Sequence, residues 1–277
     1  MGQFEMRINS LSFNIDKSFD EIGTFSIGHE GCAVKFLKVV CNACFLAFLE
    51  KQRNMGKQIR IVTPIVPERH LNEVETALKE MFKNDIFRDS IVVVNDYGLL
   101  NFINKTSQDR KMCLGRSLIF SFEYTPWGHN IFESESKKIQ QIVSQVSFYD
   151  DEKIRFFRER NIVEIEANLS VGTIECLKEI QNKGFKVNIH KNTFLYGTQR
   201  SCYFKRKKQS FDCCGMECEQ AEEIQLVELW EDTGYYYENI DFPNRLFLYG
   251  NQILGEGYNL ACDQFDGIIL DSNNITM

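Results

Sequence analysis

The sequence predicts an α/β protein, a (β/α)8 barrel of the TIM type, with the stretch near the C-terminus as the place where closure is distorted or incomplete. Three observations lead there. Short strand-like runs alternate with stretches whose apolar residues recur at helical spacing through the first two thirds of the chain. One run, S-I-V-V-V-N-D-Y-G, is continuously apolar and β-branched, as a central parallel strand covered on both faces requires. The chain has 277 residues, 43% of them apolar, enough for one large core, so residues 1–277 are read as a single domain.

The elements follow in order. Residues 6–14 carry Ile8, Leu11 and Phe13 as a first strand, and Phe25 to Ile27 form a second that runs into the glycine-flanked turn G-H-E-G-C. From Ala33 to Arg53 the apolar positions keep helical spacing, which places Cys41 and Cys44 on one helix face as two small buried hydrophobes, with Cys44 the reserve metal ligand. Q-I-R-I-V-T-P-I-V is a third strand, and Pro67 opens a helix with Leu71, Val74, Leu78 and Met81 on one side. The fourth strand ends at Asn95 and Asp96, positions where α/β barrels display active groups, although either residue also suits a helix cap before Tyr97.

Arg116 to Phe122 is read as a fifth strand, followed by a loop with Glu123, Tyr124, Trp127 and His129 that could wall a pocket and supply an acid–base group. In the sixth strand, I-V-E-I-E-A-N-L-S, a period of two puts Glu164 and Glu166 on one face. A carboxylate pointing into a barrel needs a partner or a task, and Glu166 is nearer the carboxyl end of the strand. A helix from Ser170 to N-K-G leads to the seventh strand, F-K-V-N-I-H, whose His190 is read as a packing or supporting residue rather than a ligand. In the tail, E-I-Q-L-V-E-L-W-E-D-T-G, R-L-F-L-Y-G-N-Q-I-L and F-D-G-I-I-L-D are further strands, the last ending at Asp271.

Net charge is −7, which disfavours a broad nucleic-acid surface; the K-R-K-K run ending at Lys208 is either a solvated loop or a local patch for an anionic partner. The first residues lack the apolar core of a signal peptide, and no stretch approaches the ~18 apolar residues of a membrane span. A reducing cytoplasm is therefore expected, where the ten cysteines mean metal or catalysis more often than disulfides. Glycine-rich dinucleotide and P-loop fingerprints, G-x-S-x-G and H-E-x-x-H do not occur, which weighs against serine hydrolase and zinc protease chemistry.

The stretch R-S-C-Y-F-K-R-K-K-Q-S-F-D-C-C-G-M-E-C places Cys202, Cys214 and Cys218 at C-x11-C-x3-C spacing. Three thiolates in one loop are three quarters of a soft-metal site, and Cys32, after the second strand, is the candidate fourth. Ligands so far apart in sequence differ from the two local pairs of a zinc ribbon. An iron–sulfur cluster ranks first, zinc second and a chance grouping of core cysteines third. Cys213 beside Cys214 leaves a one-residue shift in ligation open.

These residues resemble the signature of the collagenase-like peptidase family U-32, in particular its short, UbiV-type members. Besides the cysteine loop, G-H-E-G-C, N-D-Y-G, E-I-E-A-N-L-S and the closing D-T-G-Y-Y-Y with R-L-F-L-Y-G-N-Q-I-L are similar to family landmarks in the same order. The resemblance implies a four-iron four-sulfur (4Fe-4S) cluster on Cys32, Cys202, Cys214 and Cys218. It also implies hydroxylation without molecular oxygen, on a ubiquinone precursor or an RNA base, with prephenate as oxygen donor. One departure is His190-Lys191, where the family has His-Gly. The expected protein is an iron–sulfur hydroxylase with Glu166, Asp96, Glu123 and His129 framing its pocket and a small-molecule or peptide substrate. The alternatives are a non-catalytic, cluster-bearing subunit paired with a second U-32 protein, and a peptidase.

Overall fold

The computed structural model describes residues 3–125, 135–148, 150–203, 205, 214, 216–224, 245–257 and 259–272. Eight parallel strands close a barrel: β1 (Gln3–Ile8), β2 (Ile22–Gly28), β3 (Gln58–Val62), β4 (Ile91–Val94), β5 (Met112–Leu114), β6 (Ile162–Ala167), β7 (Lys186–His190) and a final strand, Gly267–Asp271. The final strand pairs with both β7 and β1, so the C-terminal end completes the barrel rather than leaving it open. Between β7 and that strand the chain builds a separate antiparallel sheet from β8 (Thr193–Thr198), β9 (Glu222–Ile224), β10 (Leu246–Tyr249) and β11 (Gln252–Glu256); the barrel's last strand is therefore β12.

Helices cover the outside: α1 (Ala33–Val40), α2 (Ala43–Asn54), α3 (Leu71–Lys83), α4 (Tyr97–Thr106), α5 (Lys137–Ser144), α6 (Asp151–Arg158) and α7 (Ile174–Asn182). Apart from α5, whose Ile139 and Ile142 are exposed, their apolar stripes pack on the outward residues of the strands, Ile8, Ile61, Ile165, Val187 and Ile189 among them, in one continuous core. Starts are set by caps: the Asp96 carboxylate accepts from Gly98 N at 2.7 Å, and Asp150 accepts from Glu152 N at 2.7 Å.

Four expectations need correction. The first strand is Gln3–Ile8, not 6–14, and Leu11 and Phe13 lie in the turn-rich connection to β2. The segment 33–53 is two helices, because the Asn42 side chain caps a new start by accepting from Cys44 N at 2.9 Å. That break turns Cys41 and Cys44 outward, so both are exposed rather than core hydrophobes. The fifth strand is Met112–Leu114, not 116–122: Gly115 N makes the last ladder bond to Val94 O, and Arg116–Leu118 then turns as a 3-10 helix. R-L-F-L-Y-G-N-Q-I-L is not one strand but the β10–β11 hairpin, turning at Gly250 with φ +66°.

Inside the barrel the side chains are polar. Arg7 on β1 reaches Glu166 on β6, and Arg60 on β3 reaches Glu164 on β6; neither pair of strands is adjacent, so these contacts cross the interior. Interior positions therefore recur with a period of two, with Glu164 and Glu166 on one face as expected. A small apolar layer of Val62, Val93 and Cys113 lies beside them.

Candidate functional site

The carboxyl ends of the strands carry a closed ion-pair network. Arg7 Nη2 donates to Glu166 Oε1 at 2.5 Å, and the other oxygen of Glu166 lies 3.2 Å from His190 Nε2. His190 Nδ1 lies 2.9 Å from Asp271 Oδ2, which also accepts from the Thr193 hydroxyl at 2.5 Å. Both ring nitrogens face carboxylates: a neutral ring donates to one of them, an imidazolium to both. Arg116 grips Glu30 in bidentate fashion, Nη2 to Oε1 at 2.6 Å and Nε to Oε2 at 3.0 Å, while Gln252 on the antiparallel sheet donates to Glu30 at 3.0 Å.

Burial alone would push these acids up. For Glu166 the attraction of Arg7 and the bonds from His190 and Arg7 outweigh it and bring the carboxyl down to about 2. In Asp271, His190, Arg116 and Arg7 likewise overcome burial and hold it well below the carboxylate range. Each charge in the set is thus stable only with its partners in place.

The antiparallel sheet lies against this network through Gln252 and Thr193, and the loop after β2 ties it to the cysteines. Gly28 leaves β2 with φ +132°, where a Cβ would stand 2.1 Å from Val62 O, so only glycine makes that exit. His29 and Glu30 then turn inward. His29 Nδ1 accepts from Gly31 N at 3.1 Å and Cys32 N at 3.0 Å, fixing the backbone that presents Cys32, and its ring stacks on Tyr249. Burial, then the charge of Lys35, hold His29 well below its usual range, consistent with a neutral ring accepting at Nδ1.

Cys32, Cys202, Cys214 and Cys218 line one cavity of about 230 Å3, together with Arg69, His70 and Arg200. Burial raises the Cys32 thiol and pushes Cys218 up to about 11, and Cys218 interacts electrostatically with each of the other three cysteines. Among the described residues, no group of three or more His, Cys, Asp and Glu side chains is arranged to hold a metal ion as it stands. Four soft thiol donors facing one cavity nonetheless suit the donor chemistry of a thiolate-bound cluster. Cys213 lies outside the described residues, and Cys44 lines no part of the cavity.

Next to this cavity lies Lys35, on α1. It is 1% exposed, its Nζ donates to the Cys218 carbonyl at 3.0 Å, pairs with Glu219 at 3.4 Å and stands 3.4 Å from the centre of the Tyr249 ring. A buried ammonium beside buried thiols is a fixed positive charge where thiolates would be negative.

The remaining candidates sort differently. Asp96 caps α4, and it also accepts from Arg200 Nη2 at 3.1 Å, so it anchors the start of the cysteine loop. Glu123 is drawn away: its Oε1 accepts from Gly172 N at 3.0 Å, and among the described residues it makes no bond to Glu166, His190 or Asp271. Trp127, His129 and most of the basic run, from Arg206 to Lys208, lie outside the described residues. The sequence reading missed Arg7, Glu30, Lys35 and Arg116. For Arg7 the available signal was alternation, since E-M-R-I in β1 repeats the charged–apolar pattern of E-I-E-A in β6 and N-I-H in β7; Glu30, Lys35 and Arg116 lie in a loop, a helix and a 3-10 turn that carry no such pattern.

A solved U32 peptidase aligns over 98% of this chain and 93% of its own length, at 10% identity and a TM-score of 0.48. No family model and no curated protein matches the chain. Among the described residues no helix is long and apolar enough to cross a membrane.

Proposed function

We propose that this barrel is an iron–sulfur enzyme in which Cys32, Cys202, Cys214 and Cys218 hold a four-iron four-sulfur cluster beside the carboxyl end of the strands. The observation that carries the reading is the convergence of cysteines from both ends of the chain on one cavity. When bound, such a cluster supplies one-electron redox chemistry. Ligation requires the four thiols to lose their protons and the side chains of Cys202, Cys214 and Cys218 to converge with Cys32. Lys35, Arg69 and Arg200 then offset the negative charge that four thiolates bring.

The chain's own groups supply the rest. His190 lies between Glu166 and Asp271 and holds a proton at Nδ1 or Nε2, while Arg7 and Arg116 fix the two carboxylates. Arg200, tethered to Asp96, borders the cysteine cavity and suits the carboxylate of a small-molecule substrate or oxygen donor. Together with the resemblance to U-32 hydroxylases, this favours an oxygen-independent hydroxylation of a small molecule or peptide. The same chemistry on an RNA base is disfavoured by the acidic balance of the chain.

One observation favours a second reading. Glu166, His190 and Asp271 are closed off from solvent, which also suits a polar core in a cluster-bearing subunit that turns over only with a partner. Under either reading the ligands are the same. Replacing Cys214 and Cys218 with alanine together is expected to abolish iron retention after anaerobic purification while the far-ultraviolet spectrum stays that of an α/β fold. Unchanged iron content sinks the proposal.

A further inference from the structure

A second cavity, of about 480 Å3, opens at the opposite, N-terminal end of the barrel, beneath β3 to β7. Among the described residues five cations line it, Arg53, Lys57, Arg60, Lys111 and Lys186, against the carboxylates of Asp89 and Glu164. This excess of positive charge sits in a chain whose formal net charge is −7. We propose that this cavity binds a small polyanion carrying phosphate or carboxylate groups. The site shares no residue with the cysteine cavity, and its test is independent of the iron–sulfur reading.

The strand order assembles it. Lys57 immediately precedes β3, Lys111 immediately precedes β5 and Lys186 opens β7, so three strand starts deliver ammonium groups to one rim. Arg60 forms the floor and is 7% exposed. Its Nη2 donates to Glu164 at 2.6 Å and its Nη1 lies 3.3 Å from Glu5 as an ion pair, but neither Nη1 nor Nε has a hydrogen-bond partner among the described residues. A buried guanidinium with unmatched N–H groups leaves positive charge only partly compensated beneath the cavity, and an anion bound above it adds compensation.

The rim is similarly uncommitted. Lys111 makes no side-chain hydrogen bond or ion pair among the described residues. Lys186 reaches Glu164 only at 3.8 Å, and Arg53 reaches Asp89 only at 3.5 Å. Long pairs at exposed positions bind weakly and yield to a better anion. Lys57 is different, because its Nζ already donates to the Ile22 carbonyl at 2.5 Å and the Asp20 carbonyl at 3.2 Å, so it shapes the wall and adds charge. A concave site with an excess of one sign of charge focuses its potential on the ligand, and arginine with several lysines suits phosphate or carboxylate oxygens.

The test is isothermal titration of the full chain at low ionic strength with inorganic pyrophosphate and, separately, with citrate. Saturable one-to-one binding that weakens as salt is added is expected for at least one of them. The exposed positions Lys111 and Lys186 can be reversed without disturbing the core. K111E and K186E should each weaken binding about tenfold or more, while K137E on α5, which lies beside Gly172 past the carboxyl end of β6 and lines no part of this cavity, should leave it unchanged. Tighter binding of pyrophosphate points to a phosphate ester as ligand, and tighter binding of citrate to a polycarboxylate. Absence of saturable binding to both probes, or binding that K111E and K186E leave unaltered, overturns the proposal.

Discussion

Replacing Arg7 with methionine is expected to lower the unfolding free energy at neutral pH by about 3–5 kcal/mol. Arg7 is fully buried and is the hub of the interior: it donates to Glu166 at 2.5 Å and Glu5 at 3.3 Å, and lies 3.8 Å from Glu30. Methionine fills similar volume, so the loss comes from charges left without a partner rather than from a cavity. The pH dependence separates the two causes. A Glu166 carboxyl at about 2 in the fold, against 4.5 ordinarily, is a depressed acid. Its contribution is therefore complete above pH 4.5 and disappears as the pH falls towards 2. The gap between wild type and R7M should accordingly shrink across that interval, and R7M combined with E166Q should be less damaged at neutral pH than the two single changes summed. Chemical denaturation at several pH values checks this. A loss below about 1 kcal/mol, the range of an exposed pair, contradicts the account of the network.

The second large effect is expected at Lys35. Its ammonium is buried against the Cys218 carbonyl and Glu219, beside the cavity that four cysteines line. If those thiolates hold a cluster, K35M removes a buried compensating charge. The reduced state, which carries one more negative charge, loses most. The midpoint potential should fall on the order of 50–100 mV, and less iron should be retained. K35R keeps the charge and should lie between K35M and wild type. Redox titration of the reconstituted protein with iron analysis checks both points; an unshifted potential in K35M would show that Lys35 has no electrostatic hold on the site.

Much of the fold was legible because its signals are local. The continuous run of β4, the amphipathic stripe of α3 and the period of two in β6 each follow from one short window, whereas full closure by β12 depends on pairing with β1 and β7 that no window shows. The failures are local competitions decided elsewhere. Met112–Leu114 is too short to stand out against the more β-like R-S-L-I-F-S-F, yet its register against β4 and β6 makes it the strand. Asn42 reads as a helical position until its side chain is seen to cap α2. In the site, the cysteines announced themselves by spacing, and Glu166 by its place in β6. Their partners did not: Arg7 is 159 positions from Glu166 and Lys35 is 183 from Cys218, and no window joins residues so distant. Asp96 realises the cap that its place before Tyr97 suggested, and its second oxygen also tethers Arg200, a bond across 104 positions that no window shows.

Anaerobic purification followed by iron, sulfide and zinc analysis with an absorption spectrum tests the central claim most directly. About four irons and four sulfides per chain, with the broad visible absorption of a thiolate-bound cubane, are the predicted result. Stoichiometric zinc, or a protein that holds neither iron nor sulfide after anaerobic reconstitution, contradicts it.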